Sequence, residues 1–206
     1  MAAAGKRLIG GVTWEEREAH KRARHDSPVT QSDTDSEGEY EEIENQFVEG
    51  LTRALELMID QANERGKVRT AVHDEAKVGI FYSSHKQSFS LAFYIRRLID
   101  YCGCSNSAFV LMLVYMDRVL SLQPLISLSE YNIHRLTMTA LVLATKYLED
   151  EVRTNSYYAR VGGISTMKEM NKLEGAMLSI LNFDLYVDPE EFDIYQSFIY
   201  DVKGNF

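Results

Sequence analysis

Ala108-Phe109-Val110-Leu111-Met112-Leu113-Val114-Tyr115-Met116 is the stretch on which the fold turns. Nine apolar residues in a row leave no polar stripe at helical spacing and no alternation at strand spacing. A helix apolar on every side has to be surrounded by other helices. A buried strand would need partner strands, and alternating β-branched runs are scarce in this chain. The run also falls far short of the ~20 residues that span a bilayer. It is therefore expected at the centre of a helical domain.

Working outward, helical stripes flank it on both sides. Upstream, Gly103 stops a helix carrying Leu91, Ile95, Leu98, Ile99 and Cys102, and Ser105 or Asn106 can cap the central one. Further upstream, Phe47, Leu51, Ala54, Leu55, Met58 and Ala62 make another stripe, which Gly66 ends. Residues 67–87 read as a loop or broken segment containing Ile80-Phe81-Tyr82. Downstream, Ser127-Leu-Ser-Glu130 reads as a capping box before Ile133, Leu136, Ala140, Leu143, Ala144 and Tyr147. A polar stretch with Gly162-Gly163 follows. Thr166-Met-Lys-Glu169 is a second capping box, ahead of Met170, Leu173, Met177, Ile180 and Leu181. Asp188-Pro189-Glu190-Glu191 then starts a terminal helix with Phe192, Tyr195, Phe198 and Ile199. The expectation is an all-α fold of six main helices with no convincing strand.

The chain of 206 residues is 45% hydrophobic and 26% charged, enough apolar material for one substantial core. Its net charge of −9 argues against a nucleic-acid partner, which favours a basic face. Residues 1–45 hold 6 Lys/Arg against 11 Asp/Glu, and no basic residue lies between Asp26 and Glu44. Residues 1–44 therefore read as a disordered acidic tail, unable to bury enough apolar area to offset its conformational entropy. The folded domain is expected over residues 45–206. Within the tail, Ser27 precedes Pro28, and Ser32, Thr34 and Ser36 are followed closely by acids, the settings of phosphorylation sites. Lys21-Arg22-Ala23-Arg24 is similar to a nuclear import patch, so a nuclear or cytoplasmic protein is expected. Cys102 and Cys104 are too close to bridge easily, and with no secretory signal segment a reducing compartment is the default.

No phosphate-binding loop, nucleophile elbow or metal-ligand spacing is present, and the five His are scattered. No enzyme activity, cofactor, metal or membrane partner is expected. The informative polar residues lie at the edges of the core stripes. Glu174 falls about 40° from Met170 on a buried face, where a carboxylate is costly unless paired. Lys146 sits beside the Leu143–Tyr147 stripe, and Asp117 and Arg118 follow the apolar run directly. These residues can form intramolecular ion pairs that fix helix register, or a charged pair presented to a partner backbone, and both can hold together.

The same residues carry a resemblance. Tyr115-Met-Asp-Arg-Val119 resembles the Tyr-Ile-Asp-Arg-Phe/Leu segment of cyclins. Leu143-Ala-Thr-Lys-Tyr-Leu-Glu-Asp150 is similar to Leu-Ala-Ser-Lys-Phe-x-Glu-Asp, and Glu174 through Leu185 to Glu-x-x-x-Leu-x-x-Leu-x-Phe-x-Leu. Tyr94-Ile-Arg-Arg97, Phe109-Val-Leu and Asn155 through Ile164 look like the phosphate-signalling, or P/U-type, cyclins of fungi and protists. The resemblance covers roughly residues 46–200.

It implies a single cyclin box of about five helices around a central apolar helix, with an N-terminal and a C-terminal helix added. It implies a regulatory subunit that binds and activates a cyclin-dependent protein kinase, in cell division or phosphate signalling. Lys146 and Glu174 match the cyclin positions that contact the kinase, and Tyr147, Glu149, Leu178 and Leu185 match neighbouring contact positions. Asp117 and Arg97 are expected in a structural ion pair. The patch by which cell-cycle cyclins dock Arg-x-Leu substrates has no counterpart, since the region reads Phe89-Ser-Leu-Ala-Phe93. The alternative is a helical interaction scaffold of cyclin-like fold that binds no kinase.

Overall fold

A computed structural model describes residues 36–64 and 78–201. Seven α-helices follow one another: α1 (Ser36–Glu64), α2 (Leu91–Cys102), α3 (Asn106–Leu122), α4 (Ile133–Leu148), α5 (Asn155–Gly162), α6 (Met167–Ile180) and α7 (Pro189–Asp201). A short 3-10 turn, Gly79–Phe81, precedes α2 and buries Phe81. No strand forms among the described residues, which bears out the all-α class.

The apolar run forms α3 and is enclosed: every residue from Ala108 to Met116 is at most 4% exposed. Helices α4, α6 and α7 pack directly against it. Burying each large apolar side chain contributes roughly 1.5–3 kcal/mol, so this one helix organises much of the core. The α4 stripe supplies the facing layer through Leu136, Ala140, Leu143 and Ala144. Helix α1 lies on α7 and α2, and Phe47 meets Phe109 edge-on at 6.1 Å.

Helix ends follow local chemistry. Gly103 (φ 63°) and Gly163 (φ 69°) adopt the left-handed conformation that closes α2 and α5. The Thr166 hydroxyl accepts from the Glu169 amide at 3.1 Å, as the capping box requires. Its reciprocal arm shifts by one residue, the Glu169 carboxylate taking the Ser165 amide at 3.2 Å. Glu169 also pairs with Arg135 of α4 at 2.6 Å, and that guanidinium holds its carboxyl below the ordinary range.

Three expectations change. The stretch before Gly163 is a seventh helix, α5, capped by the Thr154 hydroxyl, which accepts from the Tyr157 amide. Ser127–Glu130 does not cap α4. Asn132 stands at that position, its side chain accepting from the Ser129 amide at 2.8 Å and donating to the Ser127 carbonyl at 2.9 Å. Helix α1 begins at Ser36, so residues 36–44 of the expected tail are helical. Ser27, Ser32, Thr34 and the Lys21–Arg24 patch lie outside the described residues.

Helix α2 is tied to α4 and α5 by the buried Tyr94, whose hydroxyl lies 3.1 Å from the His134 carbonyl and 3.2 Å from that of Gly162. Cys102 is buried and both thiols are free. Burial pushes the Cys104 thiol up to about 11, and that of Cys102 higher still.

Two glycines mark close approaches. A Cβ on Gly50 would lie 1.9 Å from the Ile199 carbonyl oxygen of α7, whereas one on Gly162 would meet the flexible Met138 side chain at 2.4 Å. Backbone cannot yield as a thioether can. Gly50→Ala is expected to destabilise by about 3 kcal/mol, lowering the melting temperature by roughly 10 °C. Gly162→Ala should cost less than about half of that, because Met adapts and alanine improves helix propensity. Thermal melts followed by circular dichroism distinguish the two; equal losses would show that the α1–α7 contact is not backbone-limited.

Candidate functional site

The last turn of α4 carries Lys146, where a cation complements the helix dipole. Its ammonium meets the Glu174 carboxylate of α6 at 2.6 Å. The second Glu174 oxygen accepts from the Asn155 amide of α5 at 2.6 Å, and the same amide donates to Asn171 at 2.7 Å. One carboxylate therefore joins three helices. Glu174 is 16% exposed and Lys146 33%, so the pair is charge-assisted yet partly screened. Such a pair contributes about 1–2 kcal/mol, modest for the fold as a whole.

Around it the surface is apolar and aromatic. Tyr147 and Leu148 are exposed at the end of α4. Leu178 lies one turn beyond Glu174 on α6, and Leu178 and Leu185 are half-buried against the core. Tyr115 connects these parts: its hydroxyl donates to the Leu185 carbonyl at 2.8 Å. Burial, and next the neighbouring Tyr147, push the ionisation of that hydroxyl to higher pH.

The segment from Leu181 to Asp188 continues this surface. Asn182 (φ 53°) and Phe183 (φ 59°) are both left-handed. Asn tolerates that conformation, but for Phe it costs about 1–2 kcal/mol. Phe183 is 71% exposed, and Tyr186, three residues on, is exposed too. The polar end of α3 holds this strained segment. Arg118 donates to the Tyr186 carbonyl at 2.8 Å and pairs with Glu191 of α7 at 2.7 Å. Asp117 accepts from the Tyr195 hydroxyl at 2.8 Å.

The structure thus joins Lys146 to Glu174 directly and gathers Tyr147 and Leu185 about Tyr115. Asp117 and Arg97, expected in one ion pair, bond to different elements: Asp117 to Tyr195 of α7, and Arg97 to the Val161 carbonyl of α5 at 2.9 Å. Glu149 turns away toward the start of α3, accepting from the Ser105 hydroxyl at 2.7 Å and the Ser105 amide at 2.9 Å. Sequence reasoning left out Phe183, Arg118's grip on the loop and Asn155. Asn182, a residue suited to left-handed backbone just past a helical stripe, was the available signal for Phe183.

Among the described residues no group of three or more His, Cys, Asp or Glu converges to hold a metal ion. No helix among them is long and apolar enough to cross a membrane.

The two Ser105 bonds hold the Glu149 carboxyl below its ordinary range. A depressed carboxyl contributes stability above its unfolded value and loses it as pH falls through the folded one. Ser105→Ala removes the hydroxyl donor, so the Glu149 midpoint should rise toward the ordinary value in a carboxyl NMR titration. An unchanged midpoint would show that the hydroxyl bond is not formed in solution.

The sequence profile described as Cyclin matches residues 15–185. Cyclin-U4-1 of Arabidopsis thaliana is 36% identical over 160 residues, covering 77% of this chain and 79% of that protein. Cyclin-P4-1 of Oryza sativa subsp. japonica is 36% identical over 158 residues, covering 77% and 74%. PHO85 cyclin-7 of Saccharomyces cerevisiae is 31% identical over 167 residues, covering 73% and 58%. With a central apolar helix enclosed by its neighbours, and with these matches across most of its length, the chain belongs to the cyclin family and is of the P/U type.

Proposed function

We propose that this chain is a regulatory subunit that binds a cyclin-dependent protein kinase and activates it, with no catalytic step of its own. The observation that carries this is the Lys146–Glu174 pair at the edge of an exposed apolar and aromatic surface. The pair leaves polar capacity on both partners for a kinase backbone, and the aromatic groups supply area for burial. The name of PHO85 cyclin-7 ties that relative to PHO85, and membership of the cyclin family supports a kinase partner for this chain.

The mechanism is conformational. A kinase requires its β3 lysine–αC glutamate pair in place before phosphoryl transfer. A partner that binds only that state shifts the population toward it, and moving 1:99 to 99:1 takes roughly 5.5 kcal/mol of differential binding. An interface of standard size, about 1,600 Å², can supply this. The face to be buried runs from Lys146 and Tyr147 through Glu174 and Leu178 to Leu185, with Phe183 added from the structure. Glu149 acts from behind by tying the end of α4 to the start of α3. Cell-cycle control or phosphate signalling, in the nucleus or cytoplasm, is the setting we assign, in keeping with the fungal and protist kind of P/U-type cyclin.

Lys146→Ala and Glu174→Ala should each weaken co-purification with a cyclin-dependent kinase at least about tenfold and lower kinase activity in parallel. The charge-swapped double variant, Lys146→Glu with Glu174→Lys, separates structure from recognition. It restores the internal pair and the melting temperature but not kinase binding if both charges face the kinase. Unchanged kinase binding by both alanine variants would overturn the proposal.

A further inference from the structure

Helices α2 and α5 build a second charged surface. Arg97 lies over the Tyr101 ring at 5.8 Å, and Arg153 and Arg160 lie over the Tyr157 ring at 5.8 and 5.4 Å. The Tyr157 hydroxyl donates to the Tyr101 backbone carbonyl at 2.7 Å, which ties the ring that carries Arg153 and Arg160 to the end of α2, the helix that carries Arg97. Arg153 and Arg160 are exposed. The ion pairs of the described residues take up Arg53, Lys86, Arg96, Arg118, Arg135 and Lys146, and none of these three. Asp100 and Glu151 border the patch in sequence without an ion pair to it.

In a chain of net charge −9, Arg153 and Arg160 held over one ring without a paired carboxylate repel each other unless an anion joins them. A guanidinium held on an aromatic face is pre-organised to grip phosphate through two parallel hydrogen bonds.

The chain carries a matching segment. Residues 26–35 contain Asp26, Asp33 and Asp35, with Ser27, Ser32 and Thr34 between them and no basic residue. The segment joins α1 at Ser36, and α1 is bound through Glu44 and Asn45 to Arg96, the neighbour of Arg97 on α2. Helical residues 36–44 span roughly 12 Å. Residues 26–35 reach about 33 Å when extended, so the patch lies within range. Each phosphate adds about −1.5 to −2 charge.

We propose that the Arg97–Arg153–Arg160 surface receives this chain's own segment 26–35 once its serines are phosphorylated. The modification is made in trans by a protein kinase using a nucleoside triphosphate. The serine oxygen forms a bond to the γ-phosphorus, the bond to the bridging oxygen breaks, and nucleoside diphosphate and the hydroxyl proton leave.

The test uses the full chain and a fluorescent synthetic peptide of residues 26–35, phosphorylated at Ser27 and Ser32, followed by polarisation. The phosphorylated peptide should bind at least tenfold more tightly than its unphosphorylated form. The Arg153→Gln/Arg160→Gln variant should lose at least tenfold while keeping its helical spectrum and melting temperature. A full chain with phosphoserine installed at positions 27 and 32 by codon reassignment should bind the added peptide at least tenfold more weakly, because its own segment occupies the surface. Equal binding of both peptides, or no loss in the arginine variant, would overturn the site. Undiminished peptide binding by the phosphoserine chain would overturn the intramolecular occupant and leave a surface for another protein's phosphorylated segment.

Discussion

The enclosure of α3 is the constraint on which everything else depends. A helix with no polar side cannot face water, so its neighbours must close around it, and their apolar stripes dictate how. Where the apolar run stops, at Asp117 and Arg118, the chemistry changes abruptly, and this polar end becomes the anchor for the chain that returns past it. Arg118 holds the segment after α6 by the Tyr186 carbonyl and α7 by Glu191. Tyr195 bonds to Asp117. The polar end of α3 therefore fixes the segment between α6 and α7 that carries Phe183 and Leu185.

Seen this way, the Lys146–Glu174 link has a positional role greater than its energetic one. It is partly exposed and contributes little to stability, yet it sets α4, α5 and α6 relative to one another through a single carboxylate. Beside it, Asn182 and Phe183 hold left-handed backbone, and the Phe183 ring stands in solvent. A protein retains such strain when surrounding structure over-determines it, and strain of this kind concentrates at functional surfaces.

Much of this was legible in the residues. The unbroken run at 108–116 located the centre, and the 3.6-residue stripes located five of the other helices. Glu174 stood out because a carboxylate on a buried face needs a partner, and Lys146 is that partner. Helix α5 was missed because its eight residues bury only Tyr158, Ala159, Val161 and Gly162, too few for a stripe. Asn132 displaced the capping box before α4 because its side chain satisfies Ser127 and Ser129 together, a tertiary fit invisible to spacing. The Asp117–Arg97 expectation treated two charges near the core as each other's partners. In the folded chain Arg97 donates to the Val161 carbonyl of α5, a helix that periodicity did not reveal.

The face proposed to meet the kinase is continuous, running from the Lys146–Glu174 link to the segment held by the end of α3. Hydrogen–deuterium exchange of the full chain, alone and in complex with a cyclin-dependent kinase, addresses it directly. Slowed exchange is expected in the last turn of α4, in α6 from Glu174 onward and in the segment through Leu185, with little change at the 3-10 turn and the first turn of α2. Protection confined to those last two regions, with the α4–α6 face exchanging freely in the complex, would contradict it.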